Sequence, residues 1–362
     1  MAALLTAATA FAQDAPVILE YHEAERIPER GWAVSVDNFR DQMRYLAKAG
    51  YNVIPIADLV DYVNGRKSSL PPNAIVISSD DGWECAYTEM YPILEKFGFP
   101  WSLYVYPRIV GHGSHALSWA QIEAMAKRGV DIEGHTMSHA HLKRDAHPDL
   151  NDAQYDAFLR AELDESKQVI ESHIGRPIHV VAYPYSEYDN VVTAAAKRAG
   201  YDAGLVGWMR PNVRSTDPMK LGRLKMVSSM TLDQFRTALG AVPIELCDGS
   251  PANGNALSRG QRVIAVSIDD QQLDPASVHA TFLNETPSEA SYDPELHRLT
   301  MNTTEAFREE RQTVLVEATT KDGRRAAGLW TFYKSRQAKA HYDAMAIRLA
   351  KIPLQDEPAE GR

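Results

Sequence analysis

Cysteine is scarce: Cys85 and Cys247 are the only two in 362 residues. That is too few for a disulfide scaffold, so the fold must rest on an apolar core. Their long separation is compatible with one bridge or with two free thiols. Positive charge is also in short supply. Lys and Arg number 38 against 48 Asp and Glu, a formal net charge of −10. No basic cluster is available to neutralise phosphates, which argues against nucleic acid or an anionic membrane surface as a partner. After the N-terminus no stretch approaches the roughly 20 apolar residues of a membrane span, so no transmembrane segment is expected. A composition of 44% hydrophobic and 24% charged residues is that of a globular protein, and the length suggests two domains.

The first residues, MAALLTAATAFAQDAP, are apolar and end in Ala-Phe-Ala. This is the small-x-small pattern of a signal-peptidase site. Residues 1–12 are read as a signal peptide cleaved after Ala12, truncated in that it lacks a basic start. Export to a periplasm or to the exterior is the expectation.

From Pro16 to Pro243 short apolar runs alternate with amphipathic segments. PVILEY, YNVI, AIVISS, SLYVY, VDIEG, IHVVAY and DAGLVG read as strands. Phe39, Met43 and Leu46 recur at helical spacing after an N-cap at Ser35, as do Ile122, Met125 and Ala126 between Ser118 and Gly129. Further helices are expected over Tyr155–Ile170 and Val191–Ala199. Such alternation predicts a parallel sheet covered by helices, doubly wound or closed as a barrel, with its site at the carboxyl ends of the strands. The segment 244–259 is rich in Gly, Ser, Asn and Pro and reads as a linker. Beyond it, 260–334 holds short strands separated by turns and predicts a separable antiparallel β-sandwich, similar to bacterial immunoglobulin-like modules. A helix near Thr304–Arg308 and a polar helical tail over 335–362 complete the reading. No partner for this C-terminal part can be read from its residues.

Two short stretches carry chemistry. SSDDGW places Asp80 and Asp81 side by side at the end of the strand AIVISS, where two ionised carboxylates repel unless a cation lies between them. EGHTMSHAHL follows another strand and sets His135 and His139 four residues apart, a spacing at which two imidazoles reach one metal. The zincin protease motif shares that spacing but needs Glu after the first His, where this chain has Thr136. One Asp and two His can hold a divalent metal and leave positions open, with the second Asp beside it as a base.

With these motifs the chain resembles the polysaccharide deacetylase family, carbohydrate esterase family 4, whose motifs read T-F-D-D-G, H-[ST]-x-x-H and R-x-P-Y. SSDDG matches the first except at Ser78 and Ser79, HTMSH matches the second fully, and AYPYS matches the third at Pro184 and Tyr185. ILEYHE, LPPNAIVISSDDG and YPILEKFGFPWSLYVYP look most like the poly-β-1,6-N-acetylglucosamine deacetylase branch. The resemblance covers residues 16–243 and implies a distorted (β/α)7 barrel. It further implies that Asp81, His135 and His139 bind the metal, zinc in the first place with cobalt or nickel as alternatives. Asp80 would be the general base, and the backbone N–H of Tyr185 an oxyanion donor. The activity implied is removal of acetyl groups from N-acetylglucosamine units of a polysaccharide. O-acetyl ester hydrolysis on xylan, deacetylation of peptidoglycan, and a weakened glycan-binding or scaffold protein are the rival readings.

Two departures stand out. Ala182 occupies the place of the Arg that braces the base in much of the family. No His occurs between His179 and His279, where the family's last motif supplies an acid. His22, at the end of the first strand, is the local candidate for general acid or substrate contact. Trp83, Trp101, Trp119 and Tyr106 fall near strand ends, where they could stack on sugars or pack in the core.

Overall fold

The computed structural model describes residues 15–333 apart from 114, 208–211, 245, 252–256, 259, 284–285, 304–306 and 308–310. The expected signal peptide and polar tail lie outside the described residues, as does nearly all of the helix expected near 304–308.

Seven parallel strands form a ring in chain order: Val17–Tyr21, Ala74–Ser79, Ser102–Val105, Asp131–Gly134, Val180–Ala182, Ala203–Val206 and Leu221–Lys225. The ring closes where the first strand pairs with both the second and the last. Six of these strands coincide with segments legible in the sequence. YNVI does not join the ring and contributes only Asn52–Val53, paired alongside Ala74–Ile75. Its place is taken by Leu221–Lys225, in which basic residues alternate with apolar ones. That pattern suits a strand whose polar side chains meet carboxylates inside a barrel.

The helices start where the sequence signals them. Ser35 accepts from the Asn38 N–H to cap Val36–Ala49, whose buried face includes Phe39, Met43 and Leu46. Ser118 and Gln121 form a capping box for Trp119–Lys127. The barrel interior is filled by Ile18, Val76, Tyr104, Val180, Ala182, Ala203, Leu205 and Leu221, in one apolar cluster with Ile56, Leu59 and Val60 of the helix Ile56–Val63.

The C-terminal region has two four-stranded sheets sharing one apolar cluster, with Ile264, Val266 and Met301 from one and Val314, Val316 and Trp330 from the other. The segment expected as a linker is structured in part. Leu246–Ser250 is an edge strand paired with Val263–Ile268. Just before it, Val242–Pro243 pairs in parallel with Ala326–Ala327. Edge strands tolerate the Gly, Asp and Ser that made this stretch look like a connection. Nor are the two regions independent, because Leu283, Leu315, Ala327 and Leu329 of the C-terminal region belong to the barrel's own outer core. The helix Leu232–Leu239 packs on the strand Arg325–Tyr333. Cys85 and Cys247 are not joined to each other, and no helix among the described residues is long and apolar enough to cross a membrane.

Candidate active site

Along Ala74–Ser79 the residues of one parity face the barrel interior, and the alternation carries Ser78 and then Asp80 inward. Asp80 directly follows the strand and still bonds to its neighbour, its N–H donating to the Tyr21 carbonyl at 2.9 Å. The next residue breaks the pattern. Asp81 and Gly82 take left-handed backbone conformations, with φ of 75° and 77°, which turns the second carboxylate away from the first. An added Cβ on Gly82 would lie 3.3 Å from Val105, so a side chain there is disfavoured by space as well as by φ.

Asp80 is buried against Arg223. Nη1 and Nη2 of the guanidinium donate to Oδ1 and Oδ2 at 2.8 Å each, a bidentate pair. Arg223 Nε also lies 3.4 Å from Glu20 Oε2, and Lys225 Nζ lies 3.1 Å from Glu20 Oε1. The bracing cation absent from position 182 therefore comes from the last barrel strand. Sequence matching missed it because it sits on a different strand from the family's Arg. The only signal was an Arg at alternate spacing with Leu221 and Lys225.

Asp81 has a different set of neighbours. Its Oδ2 accepts from Trp83 Nε1 at 3.0 Å, while Oδ1 is buried with no hydrogen-bond partner, 3.4 Å from Nε2 of both His135 and His139. His135 Nδ1 lies 2.7 Å from the Ala182 carbonyl. A carbonyl only accepts, so Nδ1 carries a proton and Nε2 is the ring nitrogen turned toward Asp81; burial opposes charge on this ring, but Asp81 and Asp80 raise its pKa. His139 Nδ1 is bound to the Tyr185 hydroxyl at 3.1 Å, again leaving Nε2 turned to the same point. Burial pushes His139 down to about 3, favouring the neutral imidazole that a metal needs. Burial also opposes charge on Asp81, but the close imidazoles of His135, His139 and His22 outweigh it and hold the carboxyl well below its ordinary range.

Charge counting separates the two carboxylates. Glu20 and Asp80 share Arg223 and Lys225, whereas Asp81 has no Lys or Arg partner among the described residues. The unneutralised negative charge is thus on Asp81, beside two imidazole nitrogens. This donor set fits a divalent metal: one carboxylate oxygen and two Nε2 atoms, each orientated by a bond at its other end.

His22 stands at the end of the first strand, its Nε2 3.6 Å from Glu20 Oε1, and one donor atom each of Glu20, His22 and Asp80 lie within 4.8 Å of one another. Burial lowers its pKa against the pull of Asp81, Glu20 and Asp80. Tyr185 bends sharply at φ 57° and ψ 8°, and its ring stacks on His141, which pairs with Glu187 at 2.9 Å. All six residues singled out by sequence, His22, Asp80, Asp81, His135, His139 and Tyr185, thus meet at one end of the barrel. The aromatics do not form a single platform. Trp101 and Tyr106 are buried in the core, Trp119 stacks on His173, and Trp83 donates to Asp81.

The polysaccharide deacetylase profile matches residues 67–204, a span that includes Asp80, Asp81, both histidines and Tyr185. This chain carries a polysaccharide deacetylase domain. YxkH of Bacillus subtilis (strain 168), which bears the name of a polysaccharide deacetylase, is 26% identical over 206 residues, covering 55% of this chain and 66% of that protein. The poly-beta-1,6-N-acetyl-D-glucosamine N-deacetylase of Escherichia coli (strain K12) is 25% identical over 221 residues, covering 51% of this chain and 33% of the relative. The deacetylase domain here thus spans a third to about two thirds of these relatives' lengths. In three dimensions, the structure of IcaB from Ammonifex degensii superposes with a TM-score of 0.55 at 23% identity, over 63% of this chain and 98% of that one. That likeness supports the barrel fold.

Proposed function

We propose that this protein is a metal-dependent hydrolase that removes acetyl groups from N-acetylglucosamine units of an exported polysaccharide of the poly-β-1,6-N-acetylglucosamine type. The observation that carries the reading is the buried, partnerless Asp81 Oδ1 equidistant from two imidazole Nε2 atoms. The relatives' names support the substrate class.

Asp81, His135 and His139 would hold the cation, zinc in the first place or else cobalt or nickel. When bound, it supplies Lewis acidity and makes water acidic enough to react near neutral pH. Asp80 accepts the proton of the attacking water, and its bidentate bond to Arg223 fixes the carboxylate for that transfer. Water oxygen joins the acetyl carbon, and the Tyr185 backbone N–H donates to the oxyanion that develops. The C–N bond then breaks, releasing acetate and a glucosamine amine. His22, close to Asp80, delivers the proton to that amine. The Ala-Phe-Ala signal pattern supports action outside the cytoplasm. The two C-terminal sheets are read as an immunoglobulin-like module.

Acetate release from poly-β-1,6-N-acetylglucosamine, chitin oligomers, acetylated xylan and peptidoglycan, with and without chelator, tests the proposal. Release from the first that chelator abolishes and zinc restores is the expected result. Activity indifferent to chelation, or confined to xylan esters, would overturn it.

A further inference from the structure

Between the two metal-site histidines the chain takes an unfavourable path. Thr136 has φ 64° and His139 φ 58°. A β-branched residue at positive φ is a steric outlier, and such a conformation persists only where the surroundings impose it. Both Thr136 and His135 are buried. The short turn also leaves the main-chain N–H groups of Met137 and Ser138 needing acceptors within the protein.

Those groups meet one side chain. Glu162 Oε2 accepts from the N–H of Met137 at 3.1 Å and of Ser138 at 3.0 Å, and Oε1 accepts from Ser138 Oγ at 2.6 Å. Two successive N–H groups converging on one carboxylate oxygen make an anion nest, occupied here by the protein's own acid. Glu162 is itself buried. It comes from the π-helical turn Ala161–Glu165, inserted between the helices Asp152–Arg160 and Ser166–Ile174. The wider turn buries Glu162 next to Leu163, where a regular helical stripe would carry an apolar residue. On the loop's other side, Thr136 Oγ1 accepts from the His139 N–H at 3.1 Å. The turn is thus tied from within and clamped from without.

We propose that Glu162 is a positioning residue that clamps the His135–His139 turn in its left-handed conformation and so keeps the two Nε2 atoms convergent on Asp81. It touches neither substrate nor cation. The inference rests on the metal-dependent reading above, and its test reads metal binding instead of turnover. Full-length protein is stripped with chelator and titrated with Zn2+ against a chromophoric competitor, and with Co2+ by visible absorption. Glu162→Leu keeps the side chain's bulk without acceptors and should weaken both metals by about 10- to 100-fold, the size of effect seen when an outer-shell partner is lost. Its Co2+ spectrum should also change shape, which lost packing elsewhere would not cause. Glu162→Gln keeps an oxygen for the two N–H groups and should restore most of the affinity. A folded Glu162→Leu protein that binds both metals like wild type would overturn the inference and leave the proposed function standing. A wild-type protein that binds neither metal would overturn both. If the leucine variant does not fold, Glu162→Asp decides: its carboxylate, one methylene short of the nest, should weaken binding, and unchanged affinity would refute the clamp.

Discussion

Arg223 and Asp80, 143 positions apart in the chain, meet inside the barrel through two hydrogen bonds of 2.8 Å. Both are almost fully shielded from solvent, and Glu20 shares the same guanidinium. Removing the cation strands two buried carboxylates. Arg223→Met should therefore cost about 3–5 kcal/mol of stability, the range for breaking one side of a buried pair, and should abolish turnover. Arg223→Lys should recover little, since an ammonium cannot reproduce the two parallel bonds. Urea unfolding and acetate release on both variants check this, and a stable, active Arg223→Met would refute the bracing role.

The adjacent carboxylates should part company on mutation. Asp81→Asn is expected to lose metal affinity, partly regained in excess zinc, because an amide replaces an anionic ligand. Asp80→Asn should keep its metal and lose turnover by ~10²–10⁴-fold, as for loss of a general base, with no rescue by added metal. Metal content and rate measured side by side settle it; the reverse pattern would exchange the two roles.

Tyr185 offers a separation of side chain from main chain. Tyr185→Phe removes the hydroxyl that holds His139 Nδ1 but keeps the backbone N–H assigned to the oxyanion. Zinc affinity should fall by about 10-fold, while the rate at saturating zinc should stay close to that of the parent. A large rate loss at full metal occupancy would place the phenol itself in the reaction.

Glu20 predicts a pH dependence of stability. Burial opposes its ionisation, yet Arg223, Lys225 and His22 prevail and hold it down to about 2, from an ordinary value of 4.5. A carboxyl lowered on folding contributes stability that is complete above its unfolded pKa and is lost as pH falls through its folded one. The urea midpoint of wild type should exceed that of Glu20→Gln by a steady margin between pH 7 and about pH 5.5, shrinking toward pH 3. A margin that widened on acidification would contradict the assignment.

The C-terminal sheets should prove necessary to the barrel's stability. Leu283, Leu315 and Leu329 belong to the barrel's outer apolar cluster, and a buried leucine contributes roughly 1.5–3 kcal/mol. A chain ending after Pro243 should melt lower than the full chain and tend to aggregate. An equally stable, soluble truncation would show that the shared cluster contributes nothing.

Periodicity and motif chemistry made much of this protein legible from its residues alone. Ser35 and Ser118 mark helix starts because capping is a local hydrogen bond, and AIVISS reads as a buried strand because burial on both faces requires an unbroken apolar run. SSDDG and HTMSH reveal a metal-type site because ligand spacing within a turn is also local. What lay beyond reach depends on distance across the fold. LGRLK is not among the strands legible in the sequence, and its role emerges only when ring closure sets Arg223 against Asp80 and Glu20. Glu162 falls within the helix expected over Tyr155–Ile170 and shows no role until a π-helical turn brings it under Met137 and Ser138. ELCDGS reads as a linker until Val263–Ile268 supplies the strand it pairs with. In each case the sequence set the residue's chemistry, and the tertiary structure set its charge partner or hydrogen-bond partner. Pairing energies of buried charges and backbone groups arise only when desolvation and contact occur together, and no local pattern encodes that coincidence.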